Sequence, residues 1–208
     1  MVRINYPLYN RRNQFCKRAI DLLVSSLLIL TVLSWLLPLM AVLILIDSRG
    51  PVLFLQRRRK QNQALFTCFK LRTMVVNRQA DTQSAVRGDR RITRVGKWLR
   101  QTHLDELPQL LNVWKGDMSL IGPRPYMLSD DRYFEQLFSY YSLRNNVKPG
   151  ITGLAQSRGY FGAVENVAAL EKRLQLDLRY VQRWSIGMDI RILLRTLRFL
   201  SPIESNQP

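Results

Sequence analysis

Two adjacent carboxylates, Asp105 and Glu106, stand inside "RQTHLDELPQLLNVWKGDMSLIGPRPY" (residues 100 to 126), in a chain of 208 residues where 32 Lys and Arg face 15 Asp and Glu. Two readings of the pair are open. Thr102 to Asp105 has capping-box spacing, so Asp105 could close a helix start, with Pro108 tolerated near the first turn. The same place suits chemistry, because free N–H groups at a helix N-terminus attract phosphate and keep a nearby carboxylate ionised. A carboxylate can attack phosphorus as a covalent nucleophile when Mg2+ and basic residues neutralise the phosphoryl oxygens. Neighbouring helical residues diverge by about 100°, so the two acids cannot do one job. One would attack while the other holds metal or moves a proton.

Other chemistries lack their residues. His103 is the only histidine, which leaves no His-based metal cluster or triad, and its expected role is packing or capping. Cys16 and Cys68 have no CxxC spacing, so neither a disulfide framework nor a zinc site is indicated. The net charge of +17 calls for a polyanionic partner: nucleic acid, an anionic lipid surface or a phosphorylated substrate.

The elements that must position the pair begin with "LLVSSLLILTVLSWLLPLMAVLILI", residues 22 to 46, which are 25 positions without a charge. That is long enough for a spanning helix and too long for a signal-peptide core. Lys17 and Arg18 precede it and Arg49 and Arg57 to Lys60 follow it, so both flanks carry the positive charge of a cytoplasmic face. Pro38 removes a backbone donor inside the run, and Ser34 can bond back to a carbonyl one turn earlier. A helix broken at Ser34 and Pro38 that enters and leaves on one face reconciles the flanks with the length; a kinked, fully spanning helix is the alternative.

Beyond it, "GPVLFLQRRR" and "ALFTCFKLRTM" around a polar "KQNQ" read as a β-hairpin, and residues 75 to 89 read as loop or loose helix. In "DRRITRVGKWLRQT" the positions Ile92, Val95, Trp98 and Leu99 recur at helical spacing among cations, which predicts a basic amphipathic helix able to lie in lipid headgroups or to cover a core. Trp98, Trp114 and Trp184 are expected either at the membrane interface or in the core. "VKPGITGLAQSRGYFG" reads as an ordered loop, and residues 164 to 200 as two helices broken near "WSIGMD".

The order "KRAIDLL", the apolar run, "GPVLFLQ", "FKLRTM", "LDELPQLLNVWKGDMSLIGPRP", "VKPGITGLAQ" and "DLRYVQRWSIGMDIRILLRT" resembles the bacterial sugar transferases, or monotopic phosphoglycosyl transferases, over residues 16 to 200. The resemblance implies a mainly α fold with a small β-hairpin: a re-entrant membrane helix hairpin on a compact cytoplasmic catalytic domain with interfacial amphipathic helices. The corresponding division is a basic tail at 1–15, the membrane helix at 16–48 and the catalytic domain at 49–208, without the additional N-terminal membrane domain of longer members.

The activity implied is transfer of a sugar 1-phosphate from a UDP-sugar to polyprenyl phosphate at the cytoplasmic face of a bacterial inner membrane, releasing UMP and initiating exopolysaccharide or other glycoconjugate synthesis. By position, Asp105 is the nucleophile and Glu106 its acidic partner, both near Mg2+. Arg72, Arg91 and Arg124, with Pro123 and Pro125, are matched to phosphate and uridine contacts. Two departures stand out: Ser34 and Pro38 are separated where relatives have adjacent Ser and Pro, and Phe161 to Val164 replaces an Arg-Gly-Glu-Thr-like segment that bears on the choice of sugar. A membrane-tethered nucleic-acid-binding protein or a non-enzymatic scaffold is the alternative, but no nucleic-acid motif or stacking platform stands out among the cations. The expected partners are therefore the UDP-sugar, polyprenyl phosphate and membrane lipid.

Overall fold

The computed structural model describes residues 6–199, apart from 81, 84, 87, 163 and 165. The chain is mostly helical with two small sheets. Helix α1 (Arg11–Leu28), a π-helical turn (Ile29–Leu33) and α2 (Ser34–Asp47) form one 37-residue helix, long and apolar enough to cross a membrane. Asn10 caps its start, accepting the Arg12 amide at 2.9 Å. The irregular turn falls before Ser34, a turn earlier than the expected break, and Pro38 lies inside α2. Widening upstream of the proline relieves the crowding its ring imposes on the preceding turn. Side chains cover carbonyls there: Thr31 Oγ1 donates to Leu27, Ser34 Oγ to Leu30 and Trp35 Nε1 to Thr31.

Both ends of this helix are fastened to the same body. Near its start, Lys17 Nζ bonds Asp189 at 2.6 Å, and Arg18 donates to the carbonyls of Val113 and Trp114. Asp21 accepts from Ser119 Oγ and the Leu120 amide, both at 3.0 Å. Near its end, Met40 and Ile44 pack with Leu71 and Leu99, and Asp47 accepts the Val95 amide. Between these anchors Leu23, Leu27, Leu30 and Trp35 are exposed.

Strands β1 (Leu53–Arg59) and β2 (Leu65–Leu71) form the expected antiparallel hairpin, in register from Leu53 opposite Leu71 to Arg59 opposite Leu65. Helix α3 (Arg94–Gln101) is shorter than the periodicity predicted: Thr93 caps it, and Ile92 instead bridges to Met74. The expected apolar stripe divides. Leu99 is fully buried, whereas Trp98 is exposed, as is Trp114; Trp184 is buried. Gly96 lets α3 touch the chain after β2, for a Cβ there would stand 2.0 Å from the Thr73 carbonyl oxygen. Gly96→Ala should therefore lower the thermal midpoint in detergent, at a cost of about 1–3 kcal/mol. An unchanged midpoint would mean that this contact opens freely.

Helix α4 (Gln109–Lys115) follows the acidic pair, and its fully buried Asn112 takes the Phe69 amide and donates to the Thr67 carbonyl. The free edge of β2 is thus paired by a side chain. Strand β3 (Ser119–Ile121) pairs in parallel with β4 (Gly150–Thr152), so the segment expected as pure loop contains a strand. A glycine-rich run of three sheet residues carries no readable period, but close backbone approach demands it: a Cβ on Gly150 would lie 2.0 Å from the Gly122 nitrogen. Helix α5 (Leu128–Leu137) was not indicated by sequence pattern. Helices α6 (Val167–Arg183) and α7 (Ile186–Phe199) form the tail as expected, packing through Tyr180, Val181, Trp184 and Ile192.

Candidate active site

The chain reverses sharply to present the acidic pair. Helix α3 ends at Thr102, whose hydroxyl donates to Trp98 and Leu99 carbonyls, and His103 takes a left-handed conformation with φ 57°. A 3-10 turn, Leu104–Glu106, follows, then α4. Thr102 therefore closes a helix rather than opening one, and Asp105 caps nothing. His103 serves the chain reversal, and its ring stands edge-on to Phe161.

Glu106 is buried and held from two sides. Lys70 of β2 reaches Oε1 at 2.7 Å, while Arg124 grips both oxygens, Nη2 to Oε1 at 2.7 Å and Nη1 to Oε2 at 3.1 Å. Burial alone would raise this carboxyl, but Arg124 and Lys70 outweigh it and hold Glu106 well below the ordinary range. Asp105 is equally buried yet receives no hydrogen bond from the described residues. Burial pushes its carboxyl up, Lys70 opposes that, and the neighbouring Glu106 charge adds to the rise. The pair is thus differentiated: one acid is neutralised by cations, the other is uncommitted and more basic than an ordinary aspartate.

Arg124 is itself positioned from behind. The Pro123 carbonyl accepts the Gly150 amide, and the Pro125 carbonyl accepts Arg58 Nη1. Arg144 Nη2 donates to the Arg124 carbonyl at 2.6 Å, and its guanidinium lies over the rings of Tyr126 and Tyr141 and is bonded to Asp177. Pro123 and Pro125 thus fasten the loop through the hydrogen bonds that their own carbonyls accept. Arg72 lines the cavity too, but its donors go to the carbonyls of Ser48, Arg49 and Gly50, where the long helix ends. Arg91 clasps Asp89 with contacts of 2.6 to 3.1 Å and stands away from the cavity wall. It holds the Asp89 carboxyl at about 2. Ser34 and Pro38 lie within the long helix, outside the site.

Lys70, Arg58, Arg100 and Arg144 escaped sequence reasoning. One signal was available: Phe66, Cys68 and Lys70 alternate on β2, which places a lysine on a face otherwise apolar and buried, as Gln56 and Arg58 stand on β1. An inward cation calls for an acid nearby.

Asp105, Glu106, Lys70, Arg100 and Arg124 share a cavity of about 1150 Å³, which continues past Leu120 and Ile151 to the α1 residues Ile20, Val24 and Leu28. An acidic pair ringed by cations thus opens along a helix able to cross a membrane. Residues 12–201 match the family model for bacterial sugar transferases, and the chain belongs to that family. It is 44% identical over 182 residues to a UDP-glucose:undecaprenyl-phosphate glucose-1-phosphate transferase of Caulobacter vibrioides, covering 87% of this chain and 68% of the relative. It is 40% identical over 197 residues to the protein of the same name in Escherichia coli, covering 92% of this chain but 42% of the relative. With the exopolysaccharide production protein PSS of Rhizobium leguminosarum it shares 43% over 186 residues, 87% of this chain and 92% of the relative. The chain thus spans less than half the length of the Escherichia coli relative and nearly all of the Rhizobium one.

Proposed function

We propose that this protein transfers a sugar 1-phosphate from a UDP-sugar to polyprenyl phosphate, through a phosphosugar carried on Asp105. The observation that carries the reading is the uncommitted, buried Asp105 carboxylate beside a Glu106 held by Lys70 and Arg124, in one cavity with the membrane helix. Relatives named for UDP-glucose and undecaprenyl phosphate support both substrates.

An Asp105 oxygen attacks the sugar-bearing phosphorus, a new O–P bond forms, and the bond to the UMP oxygen breaks with its electron pair leaving on UMP. An oxygen of the acceptor phosphate then attacks the same phosphorus, and Asp105 departs as a carboxylate. Arg124 and Lys70 carry charge toward the phosphoryl oxygens while Glu106 fixes their positions. Mg2+, when bound, supplies further neutralisation of the diphosphate. Of the two acids, Asp105 would be the one to hold the ion, because the Glu106 oxygens already face two cations.

A pH dependence follows. Because burial raises Asp105 above its usual 3.8, its nucleophilic form should be lost on acidification sooner than an ordinary aspartate's, while Glu106 stays ionised. Pre-steady-state UMP release, measured against pH without acceptor, should show an acid limb with its midpoint above 3.8. A midpoint at or below that value would transfer the nucleophile's role elsewhere.

We further propose that the long helix is re-entrant, at the cytoplasmic face of the inner membrane. Support comes from its two anchors: Lys17 and Asp21 bind one side of the body, and Met40, Ile44 and Asp47 another, and one body cannot stand on both sides of a bilayer. In a Cys68→Ala background, exposed Cys16 and an introduced Arg49→Cys should both resist a membrane-impermeant thiol reagent in intact cells and both react in inverted vesicles. Labelling of one flank alone in intact cells would establish a spanning helix.

A further inference from the structure

Two apolar faces that the chemistry at Asp105 does not use stand across the same cavity. On α1 they are Ile20, Val24 and Leu28, one per turn; on α7 they are Ile190, Leu193 and Leu197. Helix α7 buries Ile192 in the core, yet Ile190, Leu193 and Leu197 are 54%, 44% and 53% exposed. Three large aliphatic residues aligned along one helix and left in solvent call for an apolar occupant.

Among the described residues, the charged groups between these two faces are held by partners. Lys17 is bonded to Asp189, which also takes Trp184 Nε1, and Asp21 is bonded to Ser119 and Leu120. Thr152 and Thr196 bond each other at 2.7 Å. Among the described residues lining the cavity, Gln156 Oε1 and the Asp105 carboxylate have no hydrogen-bond partner, and Asp105 is the one that stands beside cations. An apolar trough that ends at a reactive carboxylate beside cations fits an amphiphile with a long hydrocarbon chain and a phosphate head.

We infer that the groove between α1 and α7 seats the hydrocarbon chain of polyprenyl phosphate and leads its head to Arg124 and Asp105. The inference rests on the transferase reading above and adds the acceptor's path to it. Of the lipids in a membrane, only the acceptor must deliver a phosphate oxygen to the phosphorus on Asp105, and this groove is continuous with that point. The step balances without further reagents: the acceptor oxygen bonds to phosphorus, the bond to Asp105 breaks, and its electron pair returns to the carboxylate.

The test uses the full chain in detergent with a polyprenyl phosphate bearing a diazirine on its hydrocarbon chain. After irradiation, adducts mapped by mass spectrometry should fall on the peptides containing Val24, Leu28, Leu193 and Leu197. Unlabelled polyprenyl phosphate should displace them and phosphatidylglycerol should not. Adducts confined to the opposite face, at Leu23 and Leu30, or equal displacement by phosphatidylglycerol, would overturn the inference and leave the groove a general lipid-facing surface. In parallel, Leu193→Asp places a charge in the trough and should raise the acceptor KM about tenfold or more. An unchanged acceptor KM in a folded Leu193→Asp protein would count equally against it. The functional reading fails separately: wild type that releases no UMP from UDP-sugar without acceptor refutes the Asp105 intermediate, while the adduct map still decides the groove.

Discussion

Asp105→Asn should abolish turnover, lowering kcat by a factor on the order of 10⁴ to 10⁶, the range seen when a covalent nucleophile is removed. An amide has no anionic oxygen to form the new bond to phosphorus. The substitution is nearly isosteric, and the Asp105 side chain takes no hydrogen bond from the described residues, so folding should survive it. It removes a carboxylate that burial destabilises, so stability at neutral pH should hold or rise slightly. The decisive measurement incubates the protein with a UDP-sugar labelled in its β-phosphate, without acceptor. Wild type should release UMP and keep the label on the peptide containing Asp105, while Asp105→Asn should do neither. If UMP appears only when polyprenyl phosphate is present and no labelled peptide can be trapped, transfer is direct and Asp105 acts as metal ligand or base.

Glu106→Gln should cost both rate and stability. The carboxylate joins Lys70 to Arg124, and a neutral amide leaves both cations without their counter-ion and turns its own NH2 toward one of them. Breaking a buried pair costs about 3–5 kcal/mol; because Arg124 keeps 26% of its side chain in solvent, about 2–4 kcal/mol is expected here. Displaced donors at a charge-developing site lower kcat by about 10² to 10³. One signature separates this from general loosening. The Glu106 charge helps raise Asp105, so its removal should move the acid limb of UMP release to lower pH. A limb that stays in place while rate falls would mean that Glu106 acts on the reaction without electrostatic contact with Asp105. Stability also depends on pH. The folded Glu106 value lies below the unfolded one, so the stabilisation from its pairing is present above the unfolded value and is lost as pH falls toward the folded one.

Much of the site was legible because it was contiguous. Asp105, Glu106 and Arg124 lie within 20 positions of one another, and the hairpin announced itself by strands of seven residues on either side of a polar turn. Arg72 and Arg91 carried the same charge and the same expectation as Arg124, but their partners lie elsewhere, on helix-end carbonyls and on Asp89. Charge type alone does not tell a cation that reaches the acidic pair from one that fastens a loop. Strands β3 and β4 were hidden for a different reason: three-residue strands are too short for alternation to show, and they form because Gly122 and Gly150 let two backbones meet.

The sequence by itself determined what is local or compositional: an uncharged run long enough for a bilayer, a basic surface, two tail helices, and an acidic pair set against a proline-bounded arginine. These follow from period, charge and backbone restriction, each read within a few residues. Only the tertiary structure decided which acid is free. Lys70 arrives from 36 positions before Glu106 and Arg124 from 18 after it, and both close on Glu106 rather than on Asp105. Likewise, the two ends of the long apolar helix are brought to one body by partners as distant as Asp189, 172 positions from Lys17. Adjacent carboxylates are equivalent in a one-dimensional chain; burial and the placement of distant cations make one a held counter-ion and leave the other uncommitted, with its carboxyl pushed up.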